Sequence, residues 1–145
     1  MAIKNVKLNG YGDSQFLAGR VYADGAGIES KVIELSANGD GTWDASPETT
    51  ITSGTNYYVV IKTPEQNIVE GAVYPQAIAD NDSVIAVQAG QLTADFPTGH
   101  GLAVNDSVEL SLTNVFAKKD SGSAVGIVKE VRTNQVTIDF DLKNF

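Results

Sequence analysis

The sequence predicts an all-β fold built from two small antiparallel modules, a sandwich over residues 1–78 and a small barrel or sandwich over 79–145. Three observations point there. Apolar residues recur with a period of two instead of 3.6, which puts them on one face of a pleated strand. Turn dipeptides rich in glycine, Asn and Asp separate the apolar runs. The strand pattern then restarts after Pro75-Gln-Ala-Ile-Ala-Asp-Asn-Asp82, a proline-led polar stretch that reads as a boundary.

The elements follow in order. Ile3–Leu8 and Gln15–Tyr22 are short apolar-rich runs. Asp24-Gly25 then turns the chain toward a strand at Lys31–Ser36. Asn38-Gly39 and Asp40-Gly41 supply a hairpin turn into Thr42–Asp44, which carries the single tryptophan, Trp43. Ser53-Gly54 precedes Tyr57–Thr63 (YYVVIKT), an aromatic and β-branched run that predicts a central strand with both faces covered. Asn67–Val73 is a further strand. Ser83–Ala89 and Gln91–Asp95 predict a hairpin turning at Ala89-Gly90-Gln91. Ser107–Leu112 alternates strictly, with Val108, Leu110 and Leu112 on one face. Val125–Val131 follows, and Gln135–Lys143 alternates again through Val136, Ile138, Phe140 and Leu142. No amphipathic helix is predicted.

Composition removes several functions. The chain has 145 residues, 10 basic and 18 acidic, for a net charge of -8. Residues 1–78 and 79–145 each hold 5 basic and 9 acidic residues, so neither is a basic arm. Such a chain is not expected to bind nucleic acid, which needs clustered Lys and Arg on phosphates. With no cysteine there is no disulfide, thiol nucleophile or cysteine zinc site. No apolar stretch approaches the roughly 20 residues of a membrane helix, so no membrane partner is expected. No phosphate loop or dinucleotide fingerprint occurs, and no cofactor is predicted. Units of about 70 residues are marginal alone, so mutual packing or a homo-oligomer is expected.

Four features invite a chemical reading. His100, the only histidine, has Asp95, Asp106 and Ser107 nearby in sequence, so a Ser-His-Asp arrangement is conceivable. It lacks a glycine-flanked nucleophile elbow and sits between two glycines, which favours a structural turn histidine. Asn38, Asp40, Thr42 and Asp44 alternate oxygen ligands as calcium loops do, but lack the sixth-position glycine and distal Glu of an EF-hand. A plain hairpin turn explains them better. Trp43, Tyr57, Tyr58 and Tyr74 would make a sugar-stacking platform if exposed together, and core residues if not. Ile3, Val6 and Leu8 at one end, and Phe145 at the other, are candidates to dock onto a partner's sheet edge, against the simpler alternative that they close their own sheet.

One longer pattern resembles a known family. Thr98-Gly-His-Gly-Leu-Ala-Val-Asn-Asp-Ser-Val-Glu-Leu-Ser111 follows VIAVQAGQLTADF and precedes Gly126-Ile-Val-Lys-Glu-Val131 and Val136-Thr-Ile-Asp-Phe140. Together, over roughly residues 83–141, they resemble a small β-module that recurs in tailed-bacteriophage virion proteins. The chain departs from that pattern at Asn105, where the usual glycine is replaced by a residue that also accepts a left-handed turn. It departs again in Phe116–Ser123, a longer and more charged insert. Gly19–Gly25, Gly39–Trp43 and Ser53–Ile61 look like the Ig-like or transthyretin-like modules of phage fibres and head proteins. The resemblance implies a virion structural protein without catalytic residues. It would be a capsid decoration or cement protein meeting the major capsid protein or other virion proteins, or else a tail, fibre or adhesin component, with carbohydrate binding as one version of that alternative.

Overall fold

A computed structural model of the chain describes residues 3–8, 16–62, 68–69, 72–73, 77–143 and 145. The fold is all-β, with thirteen strands and one 3-10 turn among the described residues. In chain order these are β1 (Lys4–Leu8), β2 (Phe16–Ala23), the 3-10 turn (Ile28–Ser30), β3 (Ile33–Ala37), β4 (Trp43–Pro47), β5 (Val59–Lys62), β6 (Ile68–Val69) and β7 (Ala72–Val73). Then come β8 (Ser83–Val87), β9 (Ala89–Asp95), β10 (Ser107–Ser111), β11 (Val115–Lys118), β12 (Gly126–Arg132) and β13 (Gln135–Asp141). Pro75 and Gln76 of the boundary stretch, part of the Asn67–Val73 strand and Tyr74 lie outside the described residues.

Two sheets carry the fold. One is a six-stranded antiparallel sheet in the order β1-β9-β13-β12-β10-β11. The other has five strands in the order β3-β4-β2-β8-β5, and β6–β7 form a separate two-stranded ladder. The five-stranded sheet is mixed, which corrects the expectation of purely antiparallel modules. β2 and β4 run parallel, with Val21 beside Trp43 and Ala23 beside Ala45. The crossover that a parallel pair requires is supplied by the 3-10 turn and β3, which return the chain to start β4 alongside β2.

Neither sheet closes into a barrel among the described residues. The ends of the five-stranded sheet touch through one bridge, in which Ile33 and Tyr58 exchange both backbone hydrogen bonds (3.1 and 2.9 Å). At the ends of the six-stranded sheet, the Ile3 N–H donates to the Asn114 side-chain oxygen at 3.0 Å, with no ladder between β1 and β11.

The sheets do not follow chain order. β1, from the first half, pairs with β9 in the six-stranded sheet, while β8, from the second half, pairs with β2 and β5 in the five-stranded sheet. The hairpin expected at Ala89-Gly90-Gln91 is absent. β8 and β9 form one run that bends at Gln88 and passes from one sheet into the other. The Gln88 carbonyl accepts from the Leu142 N–H at 2.7 Å, and its side-chain amide reaches the Tyr57 carbonyl at 3.5 Å. The backbone carbonyl and the side-chain amide nitrogen of this buried glutamine thereby find partners where it crosses between sheets.

Period-two burial makes β5 and β8 a wall between two cores. Val59 and Val87 belong to the larger core, with Ile61 and Ile85 packed against it. Val60, Val84 and Ala86 face the smaller core with Val21, Ile33 and Ala45. Within the YYVVIKT run, residues 57–61 are covered on both faces as its composition predicts, although β5 stands at the end of its sheet's strand order. The larger core is completed by the alternating faces of β10 and β13, where Val108, Leu110, Val136, Ile138 and Phe140 are buried.

Candidate functional site

His100 lies in the loop after β9, and both ring nitrogens engage backbone. Nδ1 accepts from the Leu102 N–H at 3.0 Å, which leaves the proton on Nε2. Nε2 then donates to the Thr133 carbonyl at 3.0 Å, across 33 residues. The ring stands edge-on to Phe96, with centroids 6.1 Å apart. One imidazole therefore ties the loop to the β12–β13 turn. A pocket of about 260 Å³ opens beside it, lined by Phe96, Pro97, His100, Asn114 and Phe116 among others.

The nucleophile arrangement is not assembled. Asp106 turns its carboxylate onto the Ala103 N–H at 2.9 Å and lies 3.7 Å from the Lys118 ammonium. Ser107 is a strand residue of β10, paired with Ile127. Asn105 adopts φ 73°, the left-handed conformation anticipated where the resembled pattern has glycine. His100→Ala removes one donor and one acceptor from backbone partners. The expected cost is about 1–2 kcal/mol of stability, measured by urea unfolding.

The β3–β4 hairpin absorbs the alternating oxygen residues. Asn38 donates to Thr42 (3.0 Å) and Asp44 (3.2 Å), and the Asp40 carboxylate accepts from the Thr42 N–H (3.0 Å) and hydroxyl (2.6 Å). Glycines at Asn38-Gly39 and Asp40-Gly41 adopt φ of 81° and 90°, which a tight turn needs. No group of three or more metal-ligating side chains occurs among the described residues. Trp43 and Tyr58 are partly buried against the smaller core, whereas Tyr57 is buried in the larger one with its hydroxyl bonded to Thr50 and Thr52. The three aromatics do not share a platform.

Of the candidate docking residues, Ile3 and Val6 lie in the larger core and Phe145 packs against it. Ile3 and Val6 are 2% and 6% exposed and fill the larger core. Leu8 pairs with Leu92 through its backbone, and its side chain lies outside what is described. Phe145 packs on Tyr57 with centroids 5.7 Å apart, and its carbonyl accepts from the Gly54 N–H. Adding Ile3, Val6 or Phe145 to a partner would empty a place it fills here.

β11 and β3 each stand at an end of their sheet's strand order, a placement that sequence reasoning missed. β11 falls in the segment read as a charged insert. β3 was expected as a strand, but nothing in its sequence marks it as an edge. Beside β3, Glu48 hydrogen-bonds the Glu34 carboxyl. That bond, then partial burial, then the Glu34 charge hold the Glu48 pKa above its usual 4.5. The folded chain thus binds this proton more tightly than the unfolded chain. The resulting stability is complete below about pH 4.5 and is lost as pH rises through the raised pKa. Glu48→Gln should flatten that decline and gain about 0.5 kcal/mol at pH 7, a modest figure because the pair is solvated. Unfolding curves at pH 4 and pH 7 measure it.

No family model, no curated protein and no solved structure matches the chain.

Proposed function

We propose that the chain is a structural protein of a tailed-phage virion, seated on the outer capsid surface as a decoration protein that stabilises the shell by bridging its neighbours. The resemblance over residues 83–141 motivates the reading. The observation that carries it furthest is His100, whose two nitrogens both bond backbone. In this reading the Gly-His-Gly-Leu segment is a device that builds the module. The Ig-like or transthyretin-like assignment of the first unit belongs to the same proposal, with the parallel β2–β4 pair as its departure. Cross-strand bonds such as Thr93 to Thr137 (2.9 Å) and Gln91 to Asp139 (2.7 Å) stiffen a scaffold of this kind.

Two measurements test it. Densitometry of purified virions should give hundreds of copies, and a few dozen would place the protein in the tail. Capsids lacking the chain should lose resistance to heat and chelator, and unchanged resistance would end the stabilising role.

A further inference from the structure

The two bonds of the His100 ring exist in only one protonation state. Nδ1 accepts from the Leu102 N–H at 3.0 Å, and Nε2 donates to the Thr133 carbonyl at 3.0 Å. Neither partner can change its role, since a backbone N–H only donates and a carbonyl only accepts. The arrangement therefore requires the neutral imidazole with its hydrogen on Nε2. A second proton goes to Nδ1, and the cation then carries a hydrogen on both nitrogens. No rotation of that ring offers Leu102 an acceptor. Leu102 is only 6% exposed, so little water can replace the lost bond, and the closed loop pays for an orphaned N–H.

The backbone around the ring suits a hinge. Gly99 and Gly101 flank His100 with φ of 83° and 72°. A β-carbon at either would meet nothing within 4 Å, so the left-handed backbone, and not space, calls for glycine there. Fixed points bracket the segment. The Phe96 N–H donates to the Asn134 carbonyl at 2.7 Å before it, and the Asn105 N–H donates to the Val128 carbonyl at 2.8 Å after it. The charged groups on the surrounding elements are Asp95 at the end of β9, Arg132 at the end of β12, Asp106 at the end of the loop and Lys118 on β11. Arg132 pairs with Glu130 and Asp106 with Lys118, while both bonds of the ring go to backbone.

We infer that His100 is a proton-operated latch: the neutral ring closes residues 97–104 onto the β12–β13 turn, and the cationic ring releases them. Opening takes up one proton. The closed form is therefore favoured at neutral pH and loses ground as pH falls into the range where an imidazole charges, about pH 6.5 and below for an unperturbed ring. Release carries His100 and Leu102 away from the pocket they line with Phe96, Asn114 and Phe116. The latch does not rest on a virion role.

A single histidine makes the test direct, because its ring C–H signals in NMR report one group. Amide exchange gives the second readout. Corrected for intrinsic exchange, Leu102 protection should fall about tenfold between about pH 7.5 and about pH 5, in step with the ring. The Phe96 and Asn105 amides should keep theirs. His100→Gln, neutral throughout, should abolish the step. Asp106→Asn should retain it, since that carboxylate serves Ala103 and not Leu102. Circular dichroism verifies that each variant folds, and the wild-type titration stands without either. Leu102 protection that stays flat over this range, a step shared by Phe96 and Asn105, a step that survives in His100→Gln, or one that disappears in Asp106→Asn would each overturn the inference.

Discussion

Gly126→Ala is expected to destabilise the protein by about 3 kcal/mol, near the upper end for overpacking a filled interior. Gly126 opens β12 and pairs on both sides, with Val108 of β10 and Phe140 of β13. A β-carbon there would lie 2.5 Å from the Asp139 carbonyl oxygen, 3.2 Å from the Phe140 α-carbon and 3.2 Å from a Val108 methyl. Two of these atoms are backbone in a ladder that cannot yield without parting β12 from β13. The β10–β12 ladder has only two registered pairs, so the shift would also threaten the link to β10 and β11. Gly122→Ala is the control. Its β-carbon would also come within 2.5 Å of an atom, but that atom is the Glu109 carboxylate, the far end of a flexible side chain. Glu109 would swing away and lose its bonds to the Asp120 and Gly122 N–H groups, a local cost at an exposed loop. Thermal melts should separate the two, with a fall of roughly 10 °C for Gly126→Ala and little for Gly122→Ala.

The difference between those glycines shows where the sequence is readable. Alternation specifies which face of a strand is buried, and β10 and β13 follow it residue by residue, because a one-residue slip would put Val108 or Ile138 in water. Turn dipeptides specify where the chain reverses. Pairing between distant strands has no such local mark. The β8–β9 run resembles two strands and a glycine turn, yet the glycine lies inside β9 and the bend falls at Gln88. β11 was hidden for a different reason. Its first residue, Val115, is β-branched at φ 64°, a conformation that pattern reading assigns to glycine or Asn. Full burial of the Val115 side chain in the larger core offsets that backbone strain, and such an offset is a tertiary effect. For the candidate site, the placement of His100 in a turn was readable from its flanking glycines. Its partner Thr133, 33 residues on, was not.

Dividing the chain at residue 78 is expected to give two pieces that do not fold, although charge and strand patterning suggest a boundary there. Fragment 1–78 would lose β8, the strand that joins β2 to β5, and β5 would keep only the Tyr58 bridge to Ile33. The smaller core would lose Val84 and Ala86 from one wall. Fragment 79–145 would lose β1 and with it Ile3 and Val6, together with Tyr57 and Val59, all buried in the larger core. Truncating one such side chain to alanine costs about 2–5 kcal/mol, and whole domains are stable by about 5–15 kcal/mol, so removing four at once leaves no stable fold. Each fragment should give a disordered far-UV spectrum and fast amide exchange. Mixed at equal concentration they should recover strand structure, because each supplies the strand the other lacks. The intact chain should unfold in a single transition by fluorescence of Trp43 and by circular dichroism together, since β5 and β8 carry one face in each core and neither core outlasts the loss of that wall. A fragment 79–145 that folds alone, or two separated transitions in the intact chain, would show that the cores are independent and that the wall is a contact between domains.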